Sequence, residues 1–282
     1  MSGYLEGVLA LLAINVILAY GAYLPMAAGQ LNLGVAAFAA VGAYSGAYLS
    51  NTWGAAPIVA ALAACAVAGA FGWIVAFPIL RTRGIYLALA TFALNQIVQG
   101  VILNLDVVGG ATGYPVAAHI EFAAVGASAV VVFVLVFLLF HTRFGISVAA
   151  VSGDERVAEL MGLSVRGLQT SAFACGAALA GLAGALYAHH FNFIEAQHYG
   201  VLLSIHIVLY MLLGGTQTVY GPLLGAAVFT LLPELLRGSA AWRYVFFAVL
   251  IIAIMSWRPQ GVVTGALVRR LFGWRRMAEK SP

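Results

Sequence analysis

RFGISVAAVSGDERVAELMGLSVRG, residues 143–167, is the longest polar interruption in a chain that is otherwise almost continuously apolar. It carries three arginines and three acids, so it cannot sit in hydrocarbon, where each charge is costly. Outward from it in both directions the composition reverses. The 282 residues are 63% hydrophobic and 8% charged, with a mean hydropathy of +1.02. A soluble domain carries roughly 25% charged residues. Charge this sparse cannot cover a water-facing surface, which implies an all-α, polytopic membrane protein. The glycines, 32 in number, and the many alanines suit membrane helices, where small residues let backbones approach.

A membrane span needs roughly 20 apolar residues. The apolar runs predict spans near 7–25, 31–50, 56–79, 85–103, 122–141, 169–189, 201–214, 219–236 and 241–257. Pro25, Gly29 and Gln30 interrupt the start of the second, and the seventh is short and ends in Gly214 and Gly215. The expected count is therefore eight to nine, with some spans broken or re-entrant. Residues 1–268 then form one transmembrane domain, in which 143–167 is a cytoplasmic segment. Residues 269–282 form a basic cytoplasmic tail, whose Phe272 and Trp274 suit an anchor at the anionic inner leaflet. With nine spans, one face collects eleven basic and four acidic residues and the other two basic and five acidic. The positive-inside rule makes the first face cytoplasmic and, with nine spans, the N-terminus external; a re-entrant second or seventh run would put the N-terminus on the other side while the later loops stay put. The net charge of +4 thus reflects orientation, with no nucleic-acid partner implied. Residues 1–7 lack a positive n-region, so no cleavable signal is expected.

Much chemistry is excluded. The one lysine, Lys280, lies two residues from the end, so a GxxxxGK[ST] phosphate loop is impossible. If ATP drives this protein, another chain binds it. There is no HExxH, no GxSxG and no paired-cysteine metal spacing, so no metal or cofactor is expected. Cys65 and Cys175 read as buried small hydrophobes. His189 and His190 read as solvated at the outer interface, and His206 as a neutral imidazole hydrogen-bonded between helices.

Polar groups within the spans are more informative. Gln30 and Asn32 fall where the backbone is irregular, which is tolerated at depth only inside protein or against a water-filled cavity. Gly42 and Gly46 make a GxxxG packing face. In the fourth span Thr91, Asn95 and Gln99 share one helical face, with Gln96 beside them. Hydroxyls and amides without charge suit the wall of a path for a polar or zwitterionic solute. They equally suit hydrogen bonds to neighbouring helices, and both readings stay open. NLDVVGGATG at 104–113, with Gly109 and Gly110, and GGTQTVYGPLLGA at 214–226 are Gly-rich breaks of the kind that point to transport sites.

Within the opening stretch, Ser152 and Glu155 read as a capping box, with Asp154 and Glu155 in a favourable first turn and Gly162 as a stop. The predicted helix covers 153–161. Val157, Leu160 and Met161 form a small apolar face, with Glu155 and Glu159 on another side. Such a helix docks in a partner's groove or lies on the bilayer, and its acidic start favours protein over anionic lipid.

Together these pieces resemble the membrane subunits of ABC importers for branched-chain amino acids, of the LivH and LivM kind and nearer LivM. The resemblance rests on GQLNLGVAAFAAVGAY at 29–44, RTRGIYLALATFALNQIV at 81–98, GGATG at 109–113 and the segment at 143–167. It extends through AFACGAALAGLAGALYA at 172–188, LLGGTQTVYGPLLGAAV at 212–228, PELLR at 233–237 and RPQG at 258–261. It implies a multi-pass permease of the bacterial inner membrane, itself no enzyme. Its partners would be a second related permease subunit, two cytoplasmic ATPases that carry ATP and magnesium, and an external solute-binding protein. The segment at 152–162 is similar to a coupling helix, with Ser152, Asp154, Glu155, Arg156, Val157, Glu159, Leu160 and Gly162 as its residues. Gln30, Asn32, Thr91, Asn95, Gln96, Gln99 and Gln217 would line the path. Asn32 stands where relatives often have serine and Gln217 where they have glycine, so urea, amides or aromatic amino acids compete as solutes. Outside the family, a stand-alone secondary transporter or channel would want an intramembrane carboxylate, for which Asp106 and Glu234 are nearest. An intramembrane hydrolase would need Ser45 paired with His206.

Overall fold

The computed structural model describes residues 3–235 and Ile252. The expected ninth span, the RPQG ending and the basic tail lie outside the described residues. The helices are α1 (Gly3–Ala27), α2 (Val35–Trp53), α3 (Pro57–Ile79), α4 (Ile85–Leu103), α5 (Phe122–His141) and α6 (Arg143–Gly153). They continue as α7 (Glu155–Leu160), α8 (Val165–Phe191), α9 (Val201–Gly214) and α10 (Tyr220–Leu235). Two short strands, β1 (Tyr114–Pro115) and β2 (Phe193–Ile194), pair antiparallel. Among the described residues, the rest is short 3-10 turns and irregular loops.

By length and composition, α1, α3, α4, α5 and α8 can cross a membrane. The full count of eight to nine is not reached among the described residues. α9 has 14 residues, short of the roughly 20 a span needs, and α10 is described over 16 residues, up to the edge of the described stretch. The second run also starts later than expected, at Val35 and not at 31, because residues 28–34 are not helical.

The core forms around α8, which packs against α1, α2 and α3. Its AFACGAALAGLAGALYA sequence explains why. A Cβ at Gly176 would strike Gly21, one at Gly181 would strike Ala68, and one at Gly184 would strike the Ala39 carbonyl. The expected GxxxG face is real, since Gly42 lies directly on the Gly181 backbone and Gly46 on Ala64 and Ala185. Backbones this close gain dispersion contacts that larger residues would prevent. Of the most apolar window, 67% is buried in α1 and only 17% in α5, so α1 belongs to the core and α5 to the rim.

Two ends can be distinguished. At one, Arg83 in the α3–α4 turn pairs with Glu155 of α7 at 3.5 Å, and Gly29 lies against Ser152. This agrees with placing 81–83 and 143–167 on one face. At the other end Asn51 donates to the Pro115 carbonyl at 2.7 Å, Ile120 N–H donates to the His189 carbonyl, and β1 pairs with β2.

Candidate functional site

The chain breaks twice beside α4, and the polar stripe of α4 meets both breaks. At residues 28–34 the chain leaves α1 after Pro25 and enters α2. The Leu33 N–H donates to Thr91 Oγ1 at 3.0 Å, Gly34 N–H to Asn32 Oδ1 at 2.8 Å and Ala36 N–H to Ser204 Oγ at 3.0 Å. At residues 192–200, between α8 and α9, Asn95 Nδ2 donates to the Tyr199 carbonyl at 3.4 Å and Gln99 Nε2 to the Ala196 carbonyl at 3.2 Å. Thr91 lies six residues into α4, about 9 Å along the axis at 1.5 Å per residue. Broken backbone at that depth needs partners inside the protein. Thr91, Asn95 and Gln99 are those partners.

Thr91, Asn95 and Gln99 each bond a neighbouring segment through one polar atom, and Asn32 Oδ1 accepts from Gly34 N–H within its own segment. Gln96 is exposed, off the stripe. Gln217 is exposed in the α9–α10 turn. Gln30 sits at the first break, 2% exposed, with neither amide atom partnered among the described residues. Further unpartnered buried atoms gather at the second break. Among the described residues, Asn95 Oδ1 and the hydroxyls of Tyr44 and Tyr199 have no hydrogen bond, and those two rings lie 6.4 Å apart. Each such group costs about 1–3 kcal/mol when left unpaired. Next to them, a cavity of about 200 Å³ is lined by Leu11, Ile14, Leu18, Tyr187, Tyr199 and Leu203, with Asn15 and His198 as its polar members.

The polar segment 143–167 differs from the sequence reading in one respect. Its central helix does not begin with a Ser152 capping box. Ser152 lies in the last turn of α6, and Asp154 caps α7 instead. The reason is geometric: Asp154 has extended backbone (φ −154°, ψ 112°), and its Oδ1 accepts from Arg156 N–H at 2.8 Å and Val157 N–H at 3.1 Å. At the other end Gly162 (φ +82°) donates to the Glu159 carbonyl and Leu163 to the Ala158 carbonyl. That is a Schellman stop, for which glycine is preferred at positive φ. Glu155 is held by Arg83 and by Gln169, which donates to its Oε1 at 2.9 Å. The opposite side of α7 is bare, with Val157 55%, Leu160 87% and Met161 79% exposed.

Other expectations are corrected. His189 is fully buried, with Nδ1 2.7 Å from the Ala185 carbonyl and Nε2 3.0 Å from Ser50 Oγ. His190 bonds the Ile120 carbonyl and stacks on His119, so neither histidine is a free solvated group. His206 is exposed and, among the described residues, makes no hydrogen bond to another helix. Cys175 is exposed and Cys65 half-buried, so neither is fully buried as read. The hydroxyl of Ser45 donates to its own helix at Gly42. Ser204, Tyr44 and Tyr199 were missed. Ser204 had a signal, as a hydroxyl in a run that otherwise offers only His206 and Tyr210 as polar side chains.

Fold and composition define a polytopic helical membrane protein: a small-residue core, two broken segments bonded to a polar stripe, and a capped amphipathic helix at one end. The chain belongs to the branched-chain amino acid transport system permease component family, whose model matches residues 4–255. It is 28% identical over 276 residues to the high-affinity branched-chain amino acid transport system permease protein LivM of Escherichia coli (strain K12), covering 83% of this chain and 64% of that protein. It is 27% identical over 271 residues to LivM of Salmonella typhimurium, with the same coverage. A probable LivH permease of Methanocaldococcus jannaschii is 25% identical over 288 residues, covering 92% of this chain and 91% of that protein. The chain thus spans about 64% of the length of the LivM proteins it matches. No solved structure matches it significantly.

Proposed function

We propose that this chain is the membrane-spanning permease subunit of an ATP-driven importer in a bacterial inner membrane, moving small amino acids of the branched-chain class. A second permease subunit, two cytoplasmic ATPases carrying ATP and magnesium, and an external solute-binding protein complete the machine. The observation that carries this reading is α7. A six-residue helix capped at both ends, braced on one side by Arg83 and Gln169, presents three exposed apolar side chains on the other. Exposed apolar surface on a rigid polar helix suits a protein groove.

The geometry also suggests how motion would pass inward. Force on α7 reaches the α3–α4 turn through Glu155 and Arg83. α4 follows that turn, and its stripe pins both broken segments. A shift of α4 would therefore move the two breaks together and alter what faces the unpartnered Tyr44, Tyr199 and Asn95 oxygens. Those oxygens suit an ammonium group, and the Leu- and Ile-lined cavity beside them suits an aliphatic side chain. ATP hydrolysis is assigned to the partner because the one lysine, Lys280, sits in no phosphate loop.

The test is the double substitution Leu160→Lys with Met161→Lys. Both side chains are exposed, and cations at a helix C-terminus are favourable, so α7 should stay folded. The variant should reach the membrane and lose co-purification of the ATPase. Normal recovery of the ATPase would remove the docking role from α7.

A further inference from the structure

A second cavity of about 200 Å³ lies under α7, between it, the first break, the α3–α4 turn and the start of α8. Its chemistry is unlike that of the apolar cavity. Arg81, Arg83 and Arg166 line it together with Glu155 and Glu159, and so does Gln30. Arg83 and Glu155 satisfy each other at 3.5 Å. Among the described residues, Arg81, Arg166 and Glu159 have no ion-pair partner. Gln30 is 2% exposed, and among the described residues its amide nitrogen and oxygen are both unpaired, so one buried donor and one buried acceptor border the same space. Buried polar groups are nearly always bonded, and an exception needs a physical account.

Those spare groups are of both signs. Two guanidinium groups are matched by one carboxylate, which suits neither a simple anion nor a simple cation. They complement a solute with a carboxylate at one end and an ammonium at the other, in a space below the usual 300–1,000 Å³ of drug-sized pockets. A free α-amino acid is such a solute. Its carboxylate would meet Arg81 and Arg166 in charge-assisted hydrogen bonds, and its ammonium would meet Glu159.

The location gives the site a consequence. Glu155 and Glu159 are four apart and face the cavity, whereas Leu160 and Met161 stand almost bare for a partner. A solute bound here would bridge α7 to Arg81 and to the first break, fixing the helix against the bundle. We infer that this cavity is a cytoplasmic binding site for a free α-amino acid, and that occupancy holds α7 in place and slows transport. The braking role rests on the reading of α7 as the coupling helix, whereas the binding site does not.

Two measurements test this, with leucine as probe. In the first, labelled leucine is equilibrated with the purified full chain in nanodiscs without ATP. Arg81→Gln and Arg166→Gln, both at exposed side chains, should each weaken one class of site by about tenfold, the cost of one charge-assisted contact. Unchanged binding in both variants overturns the site, as does absence of that class in the wild type. In the second, the complete transporter is reconstituted right side out, and the vesicles are empty or preloaded with unlabelled leucine. Wild-type initial uptake should fall several-fold on preloading. Arg81→Gln should match the wild type in empty vesicles and ignore preloading. Insensitivity of the wild type to preloading overturns the brake. Equal slowing of Arg81→Gln in empty vesicles also overturns it, by making the cavity part of the path. If empty wild-type vesicles take up no amino acid, the proposed function fails, and the binding arm still decides the site.

Discussion

Replacing Thr91 with valine removes one oxygen and almost no volume, so no cavity is left to confuse the result. In the wild type that oxygen accepts from the Leu33 N–H at 3.0 Å and donates to the Leu87 and Ala88 carbonyls at 3.1 and 2.9 Å. The carbonyls belong to the α4 helix and lose little. Leu33 N–H sits on non-helical backbone and has no alternative acceptor in its own segment. Leaving a buried donor unsatisfied costs about 1–3 kcal/mol in soluble proteins, and several kcal/mol where water cannot reach. Leu33 is only half-buried, which argues for the lower part of that range. A cost of about 2 kcal/mol corresponds to about a 30-fold rise in the population in which the break has detached from α4. Amide hydrogen exchange of residues 29–34 in nanodiscs reads this directly. Thr91→Val should accelerate exchange there by about that factor, while Thr91→Ser, which keeps the oxygen, should stay near the wild type. Equal exchange in Thr91→Val and wild type would refute the claim that the stripe pins the break.

Asp154→Ala removes the acceptor for two N–H groups and should destabilise α7 by about 1 kcal/mol, seen as weaker ATPase recovery that Asp154→Asn restores. Gly184→Val should abolish accumulation in the membrane, because the added carbons meet the Ala39 carbonyl. Gly100→Ala, in helix α4 with open space around it, should be tolerated or raise the thermal midpoint slightly, by helix propensity of about 1 kcal/mol. Asn95→Leu should cut amino-acid uptake while ATPase co-purification is kept, since it removes both a brace and an unpartnered oxygen at the second break. Unchanged uptake kinetics would confine Asn95 to packing.

The sequence was most legible where composition changes sharply. The fourth, fifth and seventh runs were bounded to the residue, because Arg-Gly, His-Thr and Gly-Gly punctuate them. The small-residue faces were also visible, since Gly and Ala at helical spacing have little other use in a membrane. Breaks were harder. Pro25 and Gly29 signal that something interrupts the chain, but the length of non-helical backbone depends on whether Thr91 and Ser204 are there to bind it. The cap of α7 was misplaced by two residues because Ser152 and Asp154 both suit an N-cap, and only the backbone angle at Asp154 chooses between them. His189 and His190 looked like interface residues from position alone. Their partners, Ser50 and Ile120, are 139 and 70 residues away, beyond any local pattern.

The most direct test of the account is uptake of labelled leucine by cells with and without this gene, in a background lacking other leucine systems. Uptake that disappears on deletion, is competed by excess isoleucine and is blocked by vanadate is the result predicted here. Leucine uptake that persists unchanged without the gene would contradict the branched-chain assignment, and uptake abolished by an uncoupler but indifferent to vanadate would contradict an ATP-driven mechanism.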